Sequence, residues 1–181
     1  MAAAADCGFF VAEGFAPGLP IDADSRRNLL RVFDLAPREI RRLWRQKFDA
    51  SHANVYRGWF ALQPGHLTSK EGIDLGPDVA FGPSVLHAGD PLREATPLPA
   101  DQTLPGWRAA VARYYLAMLA VSTAIMHSVA RGLALPEDWF DRSFHRGLST
   151  LRLIRYRCAA PTISPPLTRP CGCSNTGSGA M

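Results

Sequence analysis

This sequence has almost no lysine, few cysteines, and none of the short motifs that mark phosphate binding or nucleophilic catalysis. Only Lys47 and Lys70 accompany 18 arginines, and the formal charge is +4. The arginines run from Arg26 to Arg169 without forming a block. A nucleic-acid patch needs clustering with aromatic or loop partners, so a solvated basic surface is expected and no nucleic-acid partner. Cys7, Cys158, Cys171 and Cys173 are too few and too unevenly spread for a secreted disulfide framework. Cys171 and Cys173 could meet a soft metal, but structural zinc takes four ligands and no other Cys or His lies near them in sequence. No metal is therefore expected there. A nucleophile elbow, a phosphate loop, a CxxC pair and internal repeats are all missing. The opening MAAAADCGFFVAEGF has no basic leader and breaks its apolar run at Asp6 and Glu13, so a cytoplasmic location is expected.

What is present is a chain of 181 residues, 47% apolar, which is enough for one domain with a real core. Its clearest element is Leu104 to Leu135. Pro105 and Gly106 open it, and Trp107, Val111, Tyr114, Met118, Val121, Ile125 and Val129 recur every three or four positions, predicting a deeply buried helix over about 106–132. Gly132 stands where a left-handed cap costs least. Tyr114 to Ala130 carries no Asp, Glu, Lys or Arg, yet it falls short of the roughly 18–20 apolar residues that cross a bilayer and includes Ser122, Thr123, His127 and Ser128. A core helix is expected, and no membrane partner. His127 on it is expected to be a core histidine bonded to backbone.

Cys7 to Phe15 suits a strand. Asp22, Asp24 or Ser25 can cap a helix through RRNLLRVFDL with Leu29, Leu30, Val32 and Phe33 inward. Pro37 starts a second helix, PREIRRLWRQKF, whose apolar stripe is Ile40, Leu43, Trp44 and Phe48 and whose five basic residues face water. Asp49 to Pro105 is rich in Gly and Pro and predicts irregular surface with short strands. Within it, Lys70-Glu71 is expected to be a surface pair, and His52, His66, Glu71 and Asp74 show no recognised metal spacing. Pro136 to Phe144 reads as a short helix and Leu151 to Cys158 as a strand, with Arg152, Ile154 and Tyr156 on one face and Leu151, Leu153 and Arg155 on the other. Residues 1–160 thus form one domain and 161–181 a Pro/Ser/Gly-rich tail expected to be flexible.

Six pieces carry a resemblance. They are CGFF at Cys7, YRGW at Tyr56, Lys70-Glu71 with Asp74 and Gly76, LPGWR at Leu104, the short helix at Trp139 and Phe140, and LRLIRY at Leu151. In this order the chain resembles the N-terminal portion of the isopenicillin N synthase-like, 2-oxoglutarate-dependent non-haem iron oxygenases. The resemblance implies an α+β fold, mainly helical here: an N-terminal strand, flanking helices and a backing helix of a double-stranded β-helix (jelly roll), most of whose strands are absent. It implies Fe(II) and 2-oxoglutarate as family cofactors and a small organic substrate.

In that family two His and one Asp hold the iron, leaving open positions for oxygen and cosubstrate, and an Arg-x-Ser pair holds the distal carboxylate of 2-oxoglutarate. None of His52, His66, His87, His127 and His145 is followed two places on by Asp or Glu, and none of the arginines by Ser. No catalytic residue or metal ligand can therefore be assigned, and this chain by itself is expected to bind neither cofactor. Tyr156 matches the family tyrosine that contacts 2-oxoglutarate or substrate, although Arg157 replaces the proline that follows it and Ile154 the asparagine two places earlier. The plainer reading of Tyr156 is a half-buried strand aromatic. Two other functions stay open: a non-catalytic interaction module, and an Arg-rich nucleic-acid binder. Loss of a covering sheet would also leave apolar surface for self-association.

Overall fold

The computed structural model describes residues 8, 10–15, 17–62, 70–145 and 147–156. Helix α1 (Ala23–Leu30) starts where the sequence can cap it. The Asp22 carboxylate accepts the Ser25 N–H at 2.8 Å and the Ser25 hydroxyl at 2.8 Å, and these bonds hold its pKa below the usual aspartate value. The chain tightens into a 3₁₀ turn at Arg31–Asp34, burying Leu29, Val32 and Phe33. Leu30, expected inside, is 37% exposed.

The second predicted helix is shorter than its apolar stripe suggested. Helix α2 covers only Pro37–Arg41, and Trp44 and Phe48, placed on the buried stripe, are 46% and 98% exposed. The chain breaks away because Arg45, expected in water, is 7% exposed, and its backbone N–H bonds the Trp59 carbonyl at 2.9 Å. A tertiary partner outweighs local propensity here. Three strands follow: β1 (Gly58–Phe60), β2 (Lys70–Leu75) and, much later, β3 (Leu151–Tyr156). They form one antiparallel sheet in the order β1-β2-β3, with Gly58 opposite Asp74, Ile73 opposite Leu153 and Lys70 opposite Tyr156. Gly58 needs to be glycine: its φ is +120°, and a Cβ would sit 2.4 Å from the Leu43 carbonyl oxygen.

Between β2 and the long helix lie helix α3 (Asp78–Phe81) and two 3₁₀ turns at Gly82–Val85 and Pro91–Arg93. Helix α4 spans Trp107–Gly132, led by Gly106 in the left-handed region at φ 72°. It is not deeply buried throughout. Trp107, Val111, Tyr115 and Ala117 are buried, but beyond them only Ala130 is, and Leu116 and Leu133 are 44% and 55% exposed. By length and composition α4 could cross a membrane; its first turns are instead built into the core. The cap also differs from expectation. Gly132 is the last helical residue, and Ala134 takes the left-handed position at φ 57°. The Leu135 N–H then bonds Ala130 O at 2.9 Å and the Ala134 N–H bonds Arg131 O at 3.1 Å, satisfying two terminal carbonyls. Helix α5 is the four-residue Asp141–Phe144.

One face of the sheet and the helices share the core. Ile73, Leu75 and Leu153 meet Leu29, Val32, Phe33, Trp107 and Val111 in one cluster. Each such side chain contributes about 1.5–3 kcal/mol by leaving water. Trp107 is fully buried and donates its indole N–H to Leu29 O at 2.9 Å, tying α4 to α1. Tyr115 donates its hydroxyl to Ser149 O at 2.8 Å, and burial raises its pKa above the ordinary tyrosine value. Because the folded state holds this proton more tightly than the unfolded chain, the stabilisation is complete below the unfolded pKa of about 10 and falls as pH rises past it. Tyr115→Phe should therefore flatten the alkaline fall of the melting temperature above about pH 10.

The expected N-terminal strand is not found. Among its described residues, Phe10 to Phe15 form no strand, and Phe10 and Val11 are 50% and 82% exposed, with no ladder partner to hold them extended. Cys7 and Phe9 lie outside the described residues, as do Cys158, Cys171, Cys173 and the whole of 161–181.

Candidate functional site

Strand alternation sorts the sheet into two faces. Trp59, Glu71, Ile73, Leu75, Leu151, Leu153 and Arg155 belong to the helix side, while Phe60, Lys70, Gly72, Asp74, Arg152, Ile154 and Tyr156 share the other. Each face carries a buried carboxylate, Glu71 on one and Asp74 on the other, and Glu71 was expected at the surface.

On the helix side, Glu71 is 2% exposed and is no surface partner of Lys70. It accepts Arg155 Nε at 3.0 Å and the Trp59 indole N–H at 3.3 Å, and Arg155 continues to Asp34 at 2.6 Å and Phe33 O at 2.7 Å. This chain of bonds joins all three strands to the 3₁₀ turn that follows α1.

On the open face the centre is Asp74, which is fully buried. Arg45 donates to its Oδ2; Arg152 meets it with Nε at 2.5 Å and Nη2 at 3.0 Å. Burial lowers the pKa of Arg45, opposed by the attraction of Asp74, whereas the bond to Asp74 raises that of Arg152. Both guanidiniums lie over the Phe60 ring, at 4.6 and 5.7 Å from its centre. Phe60 in turn lies on Gly72, where a Cβ would come within 2.4 Å of its Cζ. At the far end Tyr156 is 62% exposed, opposite Lys70.

Further charged groups hold the edge of this face. Glu94 accepts the backbone N–H groups of Val55, Tyr56 and Arg57, fixing the entry to β1. Arg57 is fully buried and donates to Leu92 O at 2.9 Å and to the Thr150 hydroxyl, while its Nε has no partner among the described residues. A groove of about 560 Å³ borders Glu94 and is lined by His52, Val55, His87 and Arg93 among others. His52 is occupied with the backbone of Asn54. His127 is not bonded to backbone as expected; its Nε2 lies 2.7 Å from Asp141 and its Nδ1 3.7 Å from Glu137, which ties α4 to the segment after it. His66 lies outside the described residues.

Among the described residues no three His, Cys, Asp or Glu side chains converge as a metal would require. The carboxylates at His127 stand on opposite ring nitrogens, so they cannot share one ion with it. Iron does not fit these residues.

The sequence is 27% identical over 153 residues to isopenicillin N synthase of Streptomyces clavuligerus, and 26% identical over 170 residues to that of Hapsidospora chrysogena. The chain is similar to the isopenicillin N synthases. The matches cover 82% and 92% of it but only 45% and 49% of those proteins, so it spans about half the length of the curated relatives it matches. No protein-family profile matches it. In fold, this chain is similar to a full-length Neurospora crassa protein solved in complex with alpha-KG, at a TM-score of 0.55 and 19% identity over 76% of this chain and 42% of that one. A protein of the 2OG-Fe(II) oxygenase family from Caulobacter crescentus gives 0.53 and 19%, over 72% of this chain and 41% of that one. The mixed helices and small sheet are thus similar to part of the fold of each of those proteins.

Of the candidate residues, Tyr156 stands on the open face with Arg152, as strand alternation indicates. Sequence reasoning treated Arg45, Arg152 and Arg155 as ordinary basic residues. The available signal was the alternation in KEGID, which sends Glu71 and Asp74 to opposite faces and makes each need a cation once β2 is buried.

Proposed function

We propose that these residues are the N-terminal part of an oxygenase that oxidises a small organic molecule with Fe(II), oxygen and 2-oxoglutarate. The observation that supports this best is the similarity to isopenicillin N synthases over 82% and 92% of the chain, together with a sheet that sets KEGIDL in register against LRLIRY. In this reading, α1, α4 and the sheet are the supporting wall of a jelly roll, and the face bearing Phe60, Arg152 and Tyr156 looks toward its interior. Tyr156, 62% exposed, would contact the cosubstrate or substrate there. These 181 residues lack His-x-Asp and Arg-x-Ser, so they do not complete the chemistry alone.

The test has two arms. The purified 181-residue chain, given Fe(II), ascorbate and 2-oxoglutarate, should form no succinate above the metal-only blank. The genomic sequence downstream should encode His-x-Asp, a distal His and Arg-x-Ser. Succinate production by the chain alone, or coding sequence without those motifs, would overturn the proposal.

A further inference from the structure

The open face of the sheet carries an unbalanced charge. Asp74 is one buried carboxylate serving two guanidiniums, so the cluster retains one net positive charge. Arg45 is closed off, its side chain 6% exposed, whereas the Arg152 side chain is 45% exposed. The surplus charge therefore reaches solvent through Arg152. Arg152 grips Asp74 with Nε and Nη2, and its Nη1 has no hydrogen bond among the described residues. Beside it lies an apolar floor: half-buried Phe60 seated on Gly72, with half-buried Ile154 directly opposite Gly72 on β3. No carboxylate other than Asp74 shares this face of the described strands, and Lys70 adds a second cation toward its far end.

A held guanidinium with one free donor edge, next to an aromatic and aliphatic floor, matches one ligand chemistry. We propose that Arg152 is a specificity-determining residue that binds the carboxylate of a small monocarboxylic acid, whose apolar body lies over Phe60 and Ile154. The substrate class is then an amphipathic organic acid. Asp74 acts as the positioning residue, since it fixes the plane of the Arg152 guanidinium before any ligand arrives. Describing the ligand as substrate rests on the oxygenase reading above; the binding site itself does not.

The experiment is a ¹H–¹⁵N NMR titration of the 181-residue chain with phenylacetate and, in parallel, with the neutral phenylacetamide. Phenylacetate should produce saturable shifts centred on Phe60, Gly72, Arg152 and Ile154. It should bind at least about tenfold more tightly than the amide, as a charge-assisted bond allows. In Arg152→Gln the preference should collapse to within about twofold, while Arg152→Lys, which keeps charge but loses the fork, should retain part of it. Equal binding of acid and amide by the native chain overturns the proposal, as do shifts centred elsewhere or an undiminished preference in Arg152→Gln. The acid and amide comparison on the native chain decides the matter even if Arg152→Gln does not fold. No iron or turnover enters the measurement, so failure of the oxygenase reading would leave this result standing, and the reverse.

Discussion

Asp74→Ala should lower the stability of the chain by about 3–5 kcal/mol, the cost of leaving a buried ion pair half made. Asp74 is fully buried, and its removal strands Arg45, 7% exposed, among Phe60 and the Tyr56 carbonyl, to which Arg45 donates at 2.7 Å. Arg152, partly in water, can rehydrate, so it adds less to the loss. Urea unfolding with an unchanged slope measures the effect directly. A double-mutant cycle should then show stronger coupling of Asp74 to Arg45 than to Arg152. A loss of under about 1 kcal/mol for Asp74→Ala would mean that this network does not hold the sheet.

Trp107→Ala should cost a similar amount, about 3–5 kcal/mol, through a different mechanism. Its ring fills the junction of α1, α4 and the sheet, so truncation opens a cavity and removes the indole bond to Leu29 O. Trp107→Phe should recover most of the packing and lose chiefly the hydrogen bond, about 0.5–1.5 kcal/mol. Leu116→Ala, at a 44% exposed position on the same helix, should stay within about 0.5 kcal/mol. Equal losses at positions 107 and 116 would contradict the one-sided burial of α4.

Several elements were legible because their signals are local. The cap at Asp22, the start of α4 after Pro105 and Gly106, and the alternating strand at Leu151 each depend on residues within one or two turns of one another. The misreadings also have a common cause. A helix to Phe48 satisfied local periodicity, but Arg45 is claimed by Asp74, 29 positions away. The apolar rows of α4 continue past Ala117, yet only its first turns meet α1 and the sheet. Ala134 takes the left-handed cap, although glycine stands two positions earlier, because the terminal carbonyls of α4 are satisfied at that register.

The candidate site divides in the same way. Alternation in LRLIRY already places Arg152, Ile154 and Tyr156 together, and the ordered motifs already point to an isopenicillin N synthase-like chain. By itself, then, the sequence determined the long helix, the strand at Leu151 and the absence of His-x-Asp and Arg-x-Ser. Only tertiary structure decided which arginines lose water, which carboxylates they serve, and that Phe60 lies against Gly72. The reason is physical: Arg152 reaches Asp74 across 78 positions of chain. The Asp74 carboxylate could not be buried without its guanidinium partners, and no local periodicity records partners so distant.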